Sequence, residues 1–175
     1  RQGGQEHEVY GDREVLLSGG ASNSPQRLML SGSGPANFLR SHGIRVVAAV
    51  PGVGENLQDH PAIMMCYVSK RPVSLASAET PVQLAKFFGQ KRGMLTSNVG
   101  EGGGVLTLRP ETSICPDMQF HFAPTFFIDH GKVQPEGHGF TIGPTLVMPK
   151  SRGSITLRSK DPFDAPRIDP RYLSE

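Results

Sequence analysis

The sequence predicts a mixed α/β fold of α+β type, with strands and short helices alternating in a first part and a largely antiparallel sheet in the second. Three observations carry this. Residues 15–61 alternate short apolar runs with two helical patterns, each introduced by a proline. From Ala62 onward, apolar runs of strand length follow one another between turn residues, with one further helical pattern among them. The 21 glycines and 15 prolines in 175 residues favour many turns and short strands over long helices.

Residues 6–10 and 13–18 flank Gly11 and Asp12, a pair suited to a tight turn, so a two-stranded ribbon is expected to open the chain. Its second strand, with the apolar run 15–17, ends at Ser18, Gly19 and Gly20, where bare backbone lets something flat or charged approach. Ser24 followed by Pro25 reads as an N-cap and a first helical residue, giving a helix from Pro25 to Leu30 that stops at Gly32. Gly34 and Pro35 open a second helix, with Ala36 and Leu39 on one face and Gly43 at its end. Residues 44–50 read as a strand. The run Gly52, Val53, Gly54 lacks the third glycine and the following helix of a dinucleotide fingerprint. Asn56, Gln58, Asp59 and His60 read as side chains that fix a crossing loop, because adjacent residues such as Asp59 and His60 point opposite ways on an extended chain.

A second domain is expected from Ala62. Residues 62–69 form a strand closed by Arg71 and Pro72, and Thr80 with Pro81 starts a helix whose Leu84, Phe87 and Phe88 are expected in the core, ending near Gly93. Gly102 to Gly104 read as a strand entry or bulge. Strands follow at 105–108, 117–123, 140–148 and 154–157. On the second of these, Met118, Phe120 and Phe122 share one side, which leaves Gln119, His121 and Ala123 as a polar wall on the other. Residues 124–139 make a long connection holding Phe126, Phe127, His130 and His138, of the length that often serves as a lid. Its histidines lack metal-ligand spacing, and no metal site is assigned.

Composition excludes several functions. With 18 basic and 16 acidic residues scattered along the chain, net charge +2, nucleic-acid binding is not expected. No stretch approaches the roughly 20 apolar residues that a membrane span needs, and the opening residues carry no signal sequence. Cys66 and Cys115 are far apart and outside any metal or redox motif, so they read as buried reduced thiols in a reducing compartment.

The runs SNSPQRLMLSGSGP, HGIRVV and VPGVGENLQDHP resemble the second signature region of the glucose-methanol-choline (GMC) flavoprotein oxidoreductases. Arg27 and Ser33 stand where that pattern carries aliphatic residues. LTSNVGEGGG, PDMQFHFAPTFFIDHG and MPKSRGSITLRSKDPFDAPRIDPRYLS resemble the choline dehydrogenases and related FAD-dependent alcohol dehydrogenases, so the likeness runs over nearly the whole chain.

The resemblance implies an internal piece of a longer enzyme: 1–61 from an FAD-binding, Rossmann-like domain, 62–150 from the substrate domain, and 151–175 from the start of the C-terminal region. It implies FAD as cofactor, with Ser18, Gly19, Gly20, Ser24 and Pro25 on the cofactor side. Asn98, His121 and Ala123 fall on the substrate side. The implied chemistry is hydride transfer from a primary alcohol to flavin, giving an aldehyde, with the electron acceptor and the oligomeric state unassigned. The flavin fingerprint of relatives lies upstream of Arg1 and their catalytic histidine motif downstream, so no catalytic residue is assigned and the isolated chain is expected to be inactive. The expected location is cytoplasmic, with peripheral association of the full-length protein with the inner membrane left open. The alternative is a non-catalytic, β-rich binding domain that retains only the scaffold. Relatives that cleave cyanohydrins with flavin bound are a third reading within the same fold.

Overall fold

The computed structural model describes Gln5, residues 7–111 and residues 114–175. In chain order it holds α1 (Gly20–Leu30), β1 (Ser33–Gly34), α2 (Ala36–Ser41), β2 (Ala48–Ala49), β3 (Glu55–Leu57) and β4 (Met65–Ser69). Then come α3 (Pro81–Gln90), β5 (Gly102–Leu106), β6 (Met118–Ala123), β7 (His138–Leu146), β8 (Gly153–Thr156) and β9 (Arg167–Asp169). The architecture is mixed α/β with antiparallel sheets. The chain divides into two compact units, residues through Gln58 together with Ser151–Ser174, and Asp59–Lys150.

In the first unit, Met29, Leu39 and Leu157 form a small buried cluster, with Leu30, Phe38, Ile44, Val46 and Val53 packed against it. Among the described residues the expected opening ribbon is not formed. Arg1 to Gly4 and Glu6 lie outside the described residues, and residues 7–19 contain a bend but no strand. Val15 and Leu16 are 75% and 77% exposed, because an apolar run becomes a strand only when a partner takes its backbone groups.

The first helix begins at Gly20 rather than Pro25. Gly20, at φ +75, turns the chain into the helix, and the Ser24 hydroxyl accepts the Gly19 N–H at 3.0 Å instead of capping forward. Pro25 therefore sits inside α1, where it has no N–H to give the carbonyl of Ala21. The expected strand 44–50 shrinks to β2, which pairs in parallel with β1. The Ile44 N–H closes α2 by donating to the Leu39 carbonyl at 3.0 Å, and the Val47 N–H donates to Gly32 at 2.8 Å. Their backbone groups are spent before a ladder can form. Three strands were not foreseen: β1, and β3 and β9, which flank β8 in an antiparallel sheet of order β3-β8-β9.

In the second unit, β4, β7, β6 and β5 lie side by side, every pair antiparallel. The register places Tyr67 opposite Phe140 and Phe122 opposite Ile142, so Tyr67, Phe122 and Phe140 share one face. The Tyr67 and Phe140 rings stack at 5.2 Å, and Phe122 lies 5.9 Å from Phe140. On the opposite face Gly139, Thr141, Gly143 and Thr145 are buried. The polar, small face is covered while the aromatic face is half-open, the reverse of an ordinary one-sided sheet. Phe126 and Met64 cover the polar face: the Phe126 ring, 6% exposed, lies directly on Gly139, and the Met64 side chain lies on Gly143.

Thr80 and Pro81 do open α3, and Lys91 closes it in the left-handed region at φ 54. Its aromatic face is not core. Phe88 is 69% exposed, no residue of α3 is buried, and the Lys91 ammonium lies 5.2 and 5.8 Å from the Phe87 and Phe88 rings. The expectation of two buried thiols is corrected as well: Cys66 is half-buried and Cys115 is exposed, because the segment before β6 runs over the surface.

Candidate functional site

The first unit carries a cleft of about 220 Å³ against the start of α1. Ala21 and Pro25 form one wall, and Gly54, Asn56, Gln58 and Ile155 form the other. The second wall is held by the pairing of β3 with β8, where the Ile155 N–H donates to the Gly54 carbonyl at 2.6 Å. Gly54 has φ +86, and a Cβ there would overlap the Ile155 carbonyl, so only glycine lets the strands close.

The sequence-derived cofactor residues gather here in part. Pro25 lines the cleft, Gly20 begins the helix with nothing within 4 Å of where its Cβ would be, and Gly19 is bonded to Ser24 across the first turn. Ser18 is exposed on the preceding stretch and is not a lining residue. No side chain caps the N-terminus of α1. Its first-turn N–H groups and the positive end of its dipole are left for an acceptor outside the helix. The opposite wall was not anticipated, because β8 lies about a hundred residues further along the chain and only pairing brings Ile155 there.

The second unit carries an apolar cleft of about 210 Å³ on the covered face of its sheet. His121 and Ala123, two apart on β6, both line it, with Gly143 and Thr141 of β7 beside them and Met64 and Phe127 above. Gly143 is the floor: a Cβ there would come within 2.5 Å of the Met64 sulfur. Asn98 is not a lining residue, but Val99 and Gly100, which follow it, are, and the Asn98 backbone carbonyl accepts the Gly100 N–H at 2.9 Å. Thr141 ties the wall together. Its hydroxyl, 2% exposed as a residue, donates to the Thr125 carbonyl at 2.8 Å and accepts the Phe127 N–H at 3.0 Å.

Among the described residues no carboxylate, lysine or arginine lines this cleft, and His121 is the one titratable lining group. The arrangement can therefore hold an alkyl group and offer it a single imidazole. The Asp59 carboxylate accepts the backbone N–H of His60 at 2.9 Å, and both residues are exposed. Among the described residues no group of three or more His, Cys, Asp or Glu could hold a metal ion, and no helix is long and apolar enough to cross a membrane.

Comparison with known proteins gives the context. Residues 1–62 match the GMC oxidoreductase family. The chain is 47% identical, over 93% of its length, to an alcohol dehydrogenase [acceptor] of Pseudomonas putida. It is 45% identical, over 98% of its length, to the mitochondrial choline dehydrogenase of Homo sapiens. It spans about a third of the curated relatives it matches, 29% to 32% of their lengths. Among solved structures, a formate oxidase of Aspergillus oryzae, an enzyme with FAD, superposes over 95% of this chain and 34% of its own, with TM-score 0.84 and 27% identity. By this match and these relatives, the chain belongs to the GMC oxidoreductases.

Proposed function

We propose that the chain is the central segment of an FAD-dependent alcohol oxidoreductase related to the choline dehydrogenases, which takes hydride from a primary alcohol and releases an aldehyde. Residues 1–61 would come from the flavin domain, 62–150 from the substrate domain and 151–175 from the start of the C-terminal region. The observation that carries the reading is the cleft at His121 and Ala123, which is apolar and, among the described residues, has one imidazole and no fixed charge.

The residues on the cofactor side fit a flavin nucleotide. Gly20 leaves open space at an uncapped helix start, and a Cβ at Gly19 would press on Asn23 and Ser24 of the first turn, so the edge of a ring, a hydroxyl or a phosphate can reach the first-turn N–H groups on the Gly20 side. FAD, when bound, supplies the two-electron sink for the alcohol's hydride. Ser24 keeps the helix start in place through its bond to the Gly19 N–H, and Pro25 shapes the adjoining wall.

On the substrate side, Ala123 and Gly143 leave room for the alkyl part of an alcohol, and Met64 and Phe127 keep water off it. The His121 imidazole can hydrogen-bond the hydroxyl oxygen and orient the carbon that loses hydride. Asn98 acts one step removed, by fixing the turn at Val99. No residue of the chain is assigned as the base.

The test is oxidation of choline and straight-chain primary alcohols by the whole protein with an artificial electron acceptor, following the aldehyde. An aldehyde formed in proportion to acceptor reduced supports the reading. A whole protein that binds no FAD and reduces no acceptor would favour a non-catalytic binding domain on the same scaffold.

A further inference from the structure

The His121 cleft has a neighbour. A larger cavity of about 720 Å³ lies in the same unit, and Val99 and Phe127 line both. The inner cleft is apolar, whereas the outer one carries Glu79, Gln134 and Glu136. These two side chains stand where one space meets the other.

Each is set there by its own backbone. Val99 has φ +71, a conformation that a β-branched residue adopts only under constraint. The constraint is visible: the Val99 N–H donates to the Ser97 hydroxyl at 3.0 Å, Gly100 donates to the Asn98 carbonyl at 2.9 Å, and Glu101 donates to the Val99 carbonyl at 3.0 Å. Two consecutive three-residue turns thus push the Val99 side chain out of the chain path. Phe127 is fixed through its N–H on Thr141, and Gly131 lies against its ring, the Cβ position being 3.8 Å from two ring carbons. Val99 is 44% and Phe127 39% exposed, so both present their side chains to the open spaces rather than to a core.

We infer that Val99 and Phe127 form a partition that sets the length of the molecule accepted at His121. Short alkyl groups fill the inner cleft alone. Longer chains enter the outer cavity only by passing these two side chains. The inference rests on the reading that the His121 cleft receives the substrate, and it adds the two residues that set the size limit.

The test uses the whole protein in four forms, wild type, Val99→Ala, Val99→Gly and Phe127→Ala, with the straight-chain primary alcohols from ethanol to decanol. Two readouts are taken across the series: kcat/KM and binding by ligand-detected NMR, which needs no turnover. In the wild type both should fall sharply beyond one chain length. In the variants that limit should move to longer alcohols, with gains of about tenfold or more for the first alcohol beyond the wild-type limit. Val99→Gly guards against misfolding, since glycine adopts φ +71 without strain and so removes the side chain while keeping the turn. If the whole protein oxidises no alcohol, the functional reading fails, but the binding series still decides the partition. An unchanged length limit in folded variants overturns the inference, and so does absence of binding by every alcohol in every form.

Discussion

Replacing Gly139 by alanine probes the contact on which the covered face of the sheet depends. The new Cβ would overlap the Phe126 ring and lie 2.7 Å from the Tyr67 carbonyl oxygen, inside the 3.0 Å below which Cβ contacts essentially never occur. The neighbours cannot simply retreat. Tyr67 pairs with Phe140 in the β4 and β7 ladder, and the chain on both sides of Phe126 is clipped. The Pro124 carbonyl accepts the Leu75 N–H at 2.7 Å, and the Thr141 hydroxyl bonds Thr125 and Phe127. Overpacking of this kind costs about 1–3 kcal/mol. Expelling the ring instead would forfeit part of the roughly 3–5 kcal/mol that truncating a buried phenylalanine costs. The expected destabilisation is about 2–4 kcal/mol, read by denaturant unfolding of the whole protein, with hydrogen exchange rising at residues 124–127 and in β7. Gly89→Ala is the matched control. It has nothing within 4 Å of its Cβ position and lies inside α3, so alanine should stabilise by about 0.5–1 kcal/mol. If Gly139→Ala unfolds at the wild-type midpoint with exchange unchanged, the packing argument is wrong.

Further predictions follow from single contacts. Thr141→Val keeps the shape but strands the Phe127 N–H and the Thr125 carbonyl, so it should cost about 1–3 kcal/mol and raise KM for alcohols, measured by unfolding and steady-state kinetics. Ser74→Ala removes the hydroxyl bonded to the His138 ring at 2.9 Å and the cap on the Ala76 N–H, at a site 3% exposed, and about 1–2 kcal/mol should be lost on unfolding. Met29→Ala empties the buried cluster of the first unit, where Met29 is 1% exposed, and should cost about 2–5 kcal/mol, enough to lower the melting temperature measurably. Ala123→Leu should fill the inner cleft and weaken alcohol binding, read as a rise in KM with flavin content unchanged.

Local signals told the truth where local chemistry decides. Thr80 with Pro81 marked a helix start, and the alternation along 118–123 put His121 and Ala123 on one face and Phe120 and Phe122 on the other. Where tertiary partners decide, the sequence was silent or misleading. The pair Ser24 and Pro25 has the form of a cap and first turn, yet Gly20 can enter the helix earlier at φ +75 and draws Ser24 back onto Gly19. Residues 15–17 look like a strand and find no partner among the described residues. Leu84, Phe87 and Phe88 have core periodicity, but nothing in their unit buries them. The same limit applies to the clefts. His121 and Ala123 could be named from one strand, whereas Gly143 and Met64 reach that cleft only through the β6 and β7 register and the crossing of residue 64.

The most direct test of the central claim is the absorbance spectrum of the purified whole protein, followed during anaerobic addition of choline or a straight-chain primary alcohol. The account predicts an oxidised flavin spectrum that bleaches in proportion to alcohol consumed, with one aldehyde formed per flavin reduced. A folded protein with no flavin absorbance, or bound FAD that no alcohol bleaches, would contradict it.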